Sequence, residues 1–305
     1  MALLAGCAGA PQTRHLLAAP PAQLPQRMEI DAVPFFPQQA LQCGPAALAT
    51  VLTHAGAAIH PDTLTRQVFI PGRAGSLQLE LIAATRRQGQ VPYVLAPRLL
   101  DLLAEVSTGR PVLVLQNLSL DGFPRWHYAV VVGFDLGAQV VVLRSGRERR
   151  HVVAMDTFER TWARGGRWAL LAVPPGQVPD TAEAEPFLRS VAAFEPLGAW
   201  SVARTAYRAA VVRWPGNAAV WLALGNAEYG MHEPVAAEQA WRRALALAPD
   251  YPPALNNLAQ LLAEQGRIAE ALPLAERAVA LEPRPTHLDT LDAIRRPARR
   301  QPSAE

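Results

Sequence analysis

The chain is 305 residues long, half of them hydrophobic, with a formal net charge of +3. That length and apolar content support two domains with sizeable cores. The small charge, carried by arginines scattered along a chain without lysine, forms no basic patch of the kind nucleic acid demands. Two cysteines, Cys7 and Cys43, make neither a disulfide framework nor a CxxC metal site. No metal or cofactor is expected, and no apolar run reaches the length of a membrane-spanning helix.

In chain order, Leu4-Ala5-Gly6-Cys7 resembles the lipobox of bacterial lipoproteins, which implies lipidation at Cys7. Such a box normally ends a segment with a basic start and an apolar middle, whereas six residues precede Cys7 here. Residues 11–30, rich in Pro and Gln, are expected to be an extended tether, so that 1–29 are signal remnant and tether. Structure is expected from Ile30. A helix is predicted from just after Cys43, with Pro45 in its first turn and Gly56 at its end. Pro61–Leu64 opens a short helix, and Ser76 is predicted to cap the next, which Gly89 closes. Val91–Leu95 reads as a strand and Leu99–Val106 as a helix.

From Pro111 the pattern turns to strands. They are Pro111–Gln116, Trp126–Asp135, Gln139–Leu143, His151–Val153 and Trp168–Val173. Helices first and an antiparallel sheet second make an α+β domain over 30–175. The Pro/Glu/Ala stretch 176–183 is expected to be a linker. Beyond it the sequence repeats every 34 residues: Pro215, Pro249 and Pro283; Ala203, Ala237 and Ala271; Ala210, Ala244 and Ala278. Together with Trp221, Leu224, Gly225 and Trp241, this series resembles the tetratricopeptide repeat. Three repeats are expected over 184–284, and a flexible tail over 285–305.

Cys43 at the mouth of a helix is placed where free N–H groups and the positive end of the helix dipole favour a thiolate nucleophile. The alternative is a buried structural thiol. His127, at the start of an apolar strand, is the best of the seven histidines for a base. An oxyanion donor could come from Gln38, Gln39 or Gln42 with the Cys43 N–H. The basic run Arg144, Arg147, Arg149, Arg150 and His151 reads as a solvated hairpin face, or as a hold for an acidic peptide end.

Val33-Pro34-Phe35-Phe36-Pro37-Gln38, Gln42-Cys43-Gly44-Pro45-Ala46-Ala47-Leu48 and Trp126-His127-Tyr128-Ala129-Val130-Val131-Val132-Gly133-Phe134-Asp135 together resemble the bacteriocin-processing (double-glycine leader) cysteine peptidases, in their stand-alone branch. The resemblance implies a papain-like fold with Cys43 as nucleophile, His127 as base and Gln38 as oxyanion donor, though Gln38 precedes Cys43 by five residues where the family has six. The family's orienting Asp follows the His by about sixteen residues. Leu143-Arg144-Ser145-Gly146 stands there instead, leaving Asp135 as the nearest carboxylate.

The resulting expectation is a cysteine peptidase on the periplasmic face of a bacterial membrane. It acts on a peptide or protein substrate, its repeats bind a protein partner, and a lipid on Cys7 meets the membrane. The alternative is an inactive papain-like domain that serves with the repeats as an envelope scaffold.

Overall fold

The computed structural model describes residues 9–38, 42–73 and 75–298; Cys7 and Gln39 lie outside them. The described chain divides into two compact units. One comprises residues up to Pro174 together with Pro179–Pro186; the other comprises Pro175–Val178 and everything from Phe187.

The first unit is an antiparallel sheet carrying helices. In chain order it contains α1 (Pro11–Ala18), β1 (Arg27–Glu29), α2 (Cys43–His54), α3 (Pro61–Val68), α4 (Gln78–Arg87), β2 (Val91–Val94) and α5 (Leu99–Ser107). Then come β3 (Val112–Asn117), β4 (Trp126–Asp135), β5 (Val140–Ser145), β6 (Glu148–Ala154), α6 (Met155–Arg164) and β7 (Ala169–Val173). The strand order is β2-β7-β3-β4-β5-β6, and β1 pairs with the end of β4 that β3 does not reach. All six residues of β3 and most of β4 are buried. Such strands read as continuous apolar runs because both faces are covered: α2 and α5 pack on β4, and α6 on β3.

Three expectations before residue 184 need correction. The stretch 11–30 is not an extended tether throughout, because it holds α1. Pro11 opens that helix, and the Gln12 and Thr13 N–H groups donate to the buried Glu159 carboxylate at 3.0 and 2.7 Å. A carboxylate satisfies the free N–H groups of a first turn and suits its positive dipole end, but it comes from α6, far along the chain. Ser76 does not cap α4: Leu77 holds the cap position and no side chain bonds there. The stretch 176–183 is not wholly a free linker either. Thr181 donates through N–H and hydroxyl to the buried Glu105 carboxylate, both at 2.7 Å, and Asp180 meets Arg110.

The second unit is helical. Its helical part begins at Phe187, within α7 (Ala184–Ala192), and contains α8 (Trp200–Arg213), α9 (Ala218–Gly230), α10 (Pro234–Leu247), α11 (Pro252–Glu264), α12 (Ile268–Leu281) and α13 (Pro285–Ala298). The 34-residue alanines are the contact points: Ala203, Ala210, Ala237, Ala244, Ala271 and Ala278 are all fully buried. Gly225 serves the same end, since a Cβ there would run into the Trp241 indole, whose Nε1 donates to Asn226 Oδ1 at 3.1 Å. The expected flexible tail is corrected as well. Residues 285–298 form α13, whose Leu291 and Ile294 are buried in the core made by α11 and α12. A repeat array ends in an open apolar edge that a terminal helix must cover.

Candidate active site

Cys43 is the first residue of α2 and Gln42 its N-cap. The run Gly44–Leu52 behind it is wholly buried, so the helix is anchored by its body while its first residue stays half-buried. Gly44 sets how closely that start approaches its surroundings. A Cβ there would lie 2.7 Å from Ser76 Oγ and 3.5 Å from Tyr128 Cδ2. Tyr128 donates from its hydroxyl to the Ser76 carbonyl at 3.2 Å. Its phenol is pushed well above the ordinary value, first by burial and then by the neighbouring Cys43. The mouth of α2 is thus seated against the third residue of β4, more than eighty positions away.

His127, next to Tyr128 on β4, lines the same cleft as Cys43, a cavity of about 1210 Å³ that also takes in Gln38, Ser76 and Trp126. The β4–β5 register sets Val130 opposite Arg144, which brings the following Ser145 to the His127 ring. Nε2 and Ser145 Oγ are 2.8 Å apart. Burial lowers the His127 pKa to about 4, helped by the positive charge of Arg125 and by His151. The imidazole is therefore neutral at neutral pH, the state a general base requires.

Asp135 does not meet His127. It ends β4, eight residues on, and a strand advances about 3.3 Å per residue, which separates the two by about 26 Å. Its carboxylate accepts from the Ala138 N–H at 2.8 Å and faces Arg27. The ring's partner is a hydroxyl, not the carboxylate that Asp135 was expected to supply.

Of the three glutamines, Gln38 lines the cleft. Its Nε2 donates to the Tyr128 carbonyl at 3.2 Å and its Oε1 accepts from the Gly146 N–H at 3.1 Å. A primary amide has two N–H donors, and the second has no partner among the described residues. Gln42 lines an adjoining hollow of about 770 Å³ with Phe36, His60 and Asp62, which shares Gln38 and Arg147 with the cleft. The basic run is divided. Arg144 is buried, donating to the Arg149 and Val33 carbonyls, Arg150 pairs with Glu29, and Arg147 lines the cleft.

Ser145, beside the His127 ring, and the cleft residue Ser76 escaped the sequence reading, as did Arg73 and Arg125 on the same lining. Ser145 carried a signal, since it sits in the segment where an orienting Asp was sought. Ser76 reads as a helix cap in the sequence; its hydroxyl is buried without a partner among the described residues, and only the tertiary approach of Gly44 marks it.

Residues 30–170 match the family model described as Peptidase_C39 like family, and residues 193–230 and 222–286 match the tetratricopeptide repeat. No curated protein matches the chain. Among solved structures, the chain is similar to a Bacillus anthracis protein described as a C39-like peptidase, at 19% identity and a TM-score of 0.42, over 49% of this chain and 98% of that one. It is also similar to the second tetratricopeptide domain of human RPAP3, solved with an HSP70 peptide, at 19% identity and a TM-score of 0.34, over 37% of this chain and 96% of that one. The chain thus carries a Peptidase_C39-like domain, with the antiparallel sheet and helices expected of a papain-like unit, followed by tetratricopeptide repeats.

Proposed function

We propose that the first unit is a cysteine peptidase with Cys43 as nucleophile and His127 as base. The observation that carries this reading is the shared cleft, in which a half-buried thiol at a helix mouth and a neutral imidazole at a strand start stand with the Gln38 amide. Ser145 engages Nε2, which leaves Nδ1 to take the thiol proton. The sulfur attacks the peptide carbonyl carbon, and the oxyanion is held by the Cys43 N–H and the second N–H of Gln38. The imidazolium returns its proton to the leaving nitrogen as the C–N bond breaks, forming a thioester. His127 then deprotonates a water that attacks the thioester, the C–S bond breaks, and thiol and acid are released. A hydroxyl partner cannot stabilise the imidazolium as a carboxylate does, so the rate is expected to fall below that of a site with Asp beside the ring.

Hydrolysis of a proteome-derived peptide library tests this. Cleavage should disappear in Cys43→Ala and fall at least about a hundredfold in His127→Ala, with the far-UV spectrum unchanged. Full cleavage by Cys43→Ala would overturn the assignment.

The repeats are proposed to hold a protein partner or the substrate chain. Lipidation at Cys7, with an envelope location, is proposed from Leu4-Ala5-Gly6-Cys7 alone. Mass spectrometry of the mature N-terminus from a bacterial host tests it, and an unmodified Cys7 would contradict it.

A further inference from the structure

The charge around the cleft points to a substrate class. We infer that the cleft takes a peptide with acidic side chains beside the bond to be cut, an inference that rests on the peptidase reading above. Three arginines line the cavity: Arg73, Arg125 and Arg147. Among the described residues no Asp or Glu lines it, the carboxylate of Asp62 belonging to the lining of the adjoining hollow. They come from three separate segments: Arg73 from the short 3-10 turn Pro71–Arg73, Arg125 from the residue before β4, and Arg147 from the β5–β6 turn. All three side chains are exposed.

None of the three has an ion-pair partner among the described residues, whereas Arg27, Arg98, Arg110, Arg150 and Arg160 of the same unit each pair with a carboxylate. Gln39-Ala40-Leu41 and Ala74, which follow the lining residues Gln38 and Arg73 in the sequence, contain no ionisable side chain. A guanidinium presents a planar fork that binds a carboxylate through two hydrogen bonds. A groove lined by one sign of charge also raises the local concentration of the opposite sign. Trp126, 54% exposed, and Leu77 and Leu115 on the same lining give apolar contact for the rest of a peptide.

The cleft itself separates this from general anion binding. The three cations share one cavity with the thiol and the imidazole, so an anionic peptide held by them lies across the reacting groups. Elsewhere on this unit the basic run that reads as one patch in the sequence is broken up by internal bonds, as Arg144 and Arg150 show.

The test uses full-length Cys43→Ala protein, so that binding is read without turnover. Matched fluorescent peptides carry Glu, Gln or Lys at the same positions, each with a free or amidated C-terminus, and binding is followed by anisotropy. Glu peptides should bind at least about tenfold tighter than Gln peptides, with either C-terminus. The advantage should shrink as salt rises from about 0.05 to about 0.5 M. It should vanish or invert when Arg73→Glu, Arg125→Glu and Arg147→Glu are combined. Equal binding of Glu and Gln peptides overturns the inference, as does a preference untouched by the arginine substitutions. A preference that depends on the free C-terminus alone overturns the side-chain assignment, and single-stranded RNA bound as tightly through the same arginines overturns the peptide assignment. The underlying reading fails separately. Wild type that cleaves neutral and acidic peptides equally keeps the peptidase and loses this inference. Acidic peptides bound through the arginines but never cleaved keep the binding class and lose the peptidase.

Discussion

Ser145 gives the His127 ring an uncharged partner, one that brings no negative charge to offset burial of the ring. Burial holds the His127 pKa down to about 4, below the value near 6.5 of an exposed histidine. Between those values an unfolded chain binds a proton that the folded chain refuses. Stability linked to this group is therefore complete above about pH 6.5 and is lost as pH falls towards 4. Urea titrations across that window should show a steeper fall for wild type than for His127→Gln, and identical slopes would contradict the assignment. A carboxylate beside Nε2 favours the imidazolium, so Ser145→Asp should move the His127 titration upward, measured by NMR of the ring. An unmoved titration would mean that the 2.8 Å contact does not govern the ring. Cys43 and His127 were legible as residues because each heads a strongly apolar element. Ser145 was not, because a lone serine at the end of a strand has no pattern of its own, and Asp135 drew attention only through its charge.

At the scale of elements, the site depends on how α2 meets β4. Gly44→Ala adds a methyl group 2.7 Å from Ser76 Oγ and 2.8 Å from Ser76 Cβ. The helix start or the Ser76 segment must shift, at a cost of about 1–3 kcal/mol, and Cys43 shifts with it. The expected result is a lowered melting temperature and a loss of cleavage larger than the stability change explains. Wild-type cleavage in Gly44→Ala would show that the mouth of α2 need not sit where it does. The docking of α1 is a second such contact. Glu159→Ala leaves the Gln12 and Thr13 N–H groups without their acceptor, worth about 1–3 kcal/mol. Hydrogen exchange should then speed up over Pro11–Ala18 before the sheet is affected. Helix α2 and the apolar strands were legible because their periodicity is local. Helices α1 and α6 were missed because what fixes α1 is a carboxylate about 147 positions on, and α6 follows β6 without a break.

At the scale of the whole molecule, the chain has two compact units with separate sources of order. The repeat unit was readable from spacing alone, because each 34-residue step returns a small residue to a helix contact. Its end differs: the Arg- and Pro-rich composition after His287 hides Leu291 and Ile294, buried apolar residues of a closing helix. Ile294→Ala should cost about 2–5 kcal/mol and accelerate hydrogen exchange in α11–α13, with uniform protection there contradicting the closing role. The central claim is that peptide cleavage passes through a covalent bond to Cys43, and mass spectrometry of acid-quenched turnover tests it most directly. Full-length protein mixed with an acidic peptide ester and quenched within a turnover should carry the acyl group on Cys43, absent in Cys43→Ala. Cleavage without that adduct, or an adduct on another residue, would contradict it.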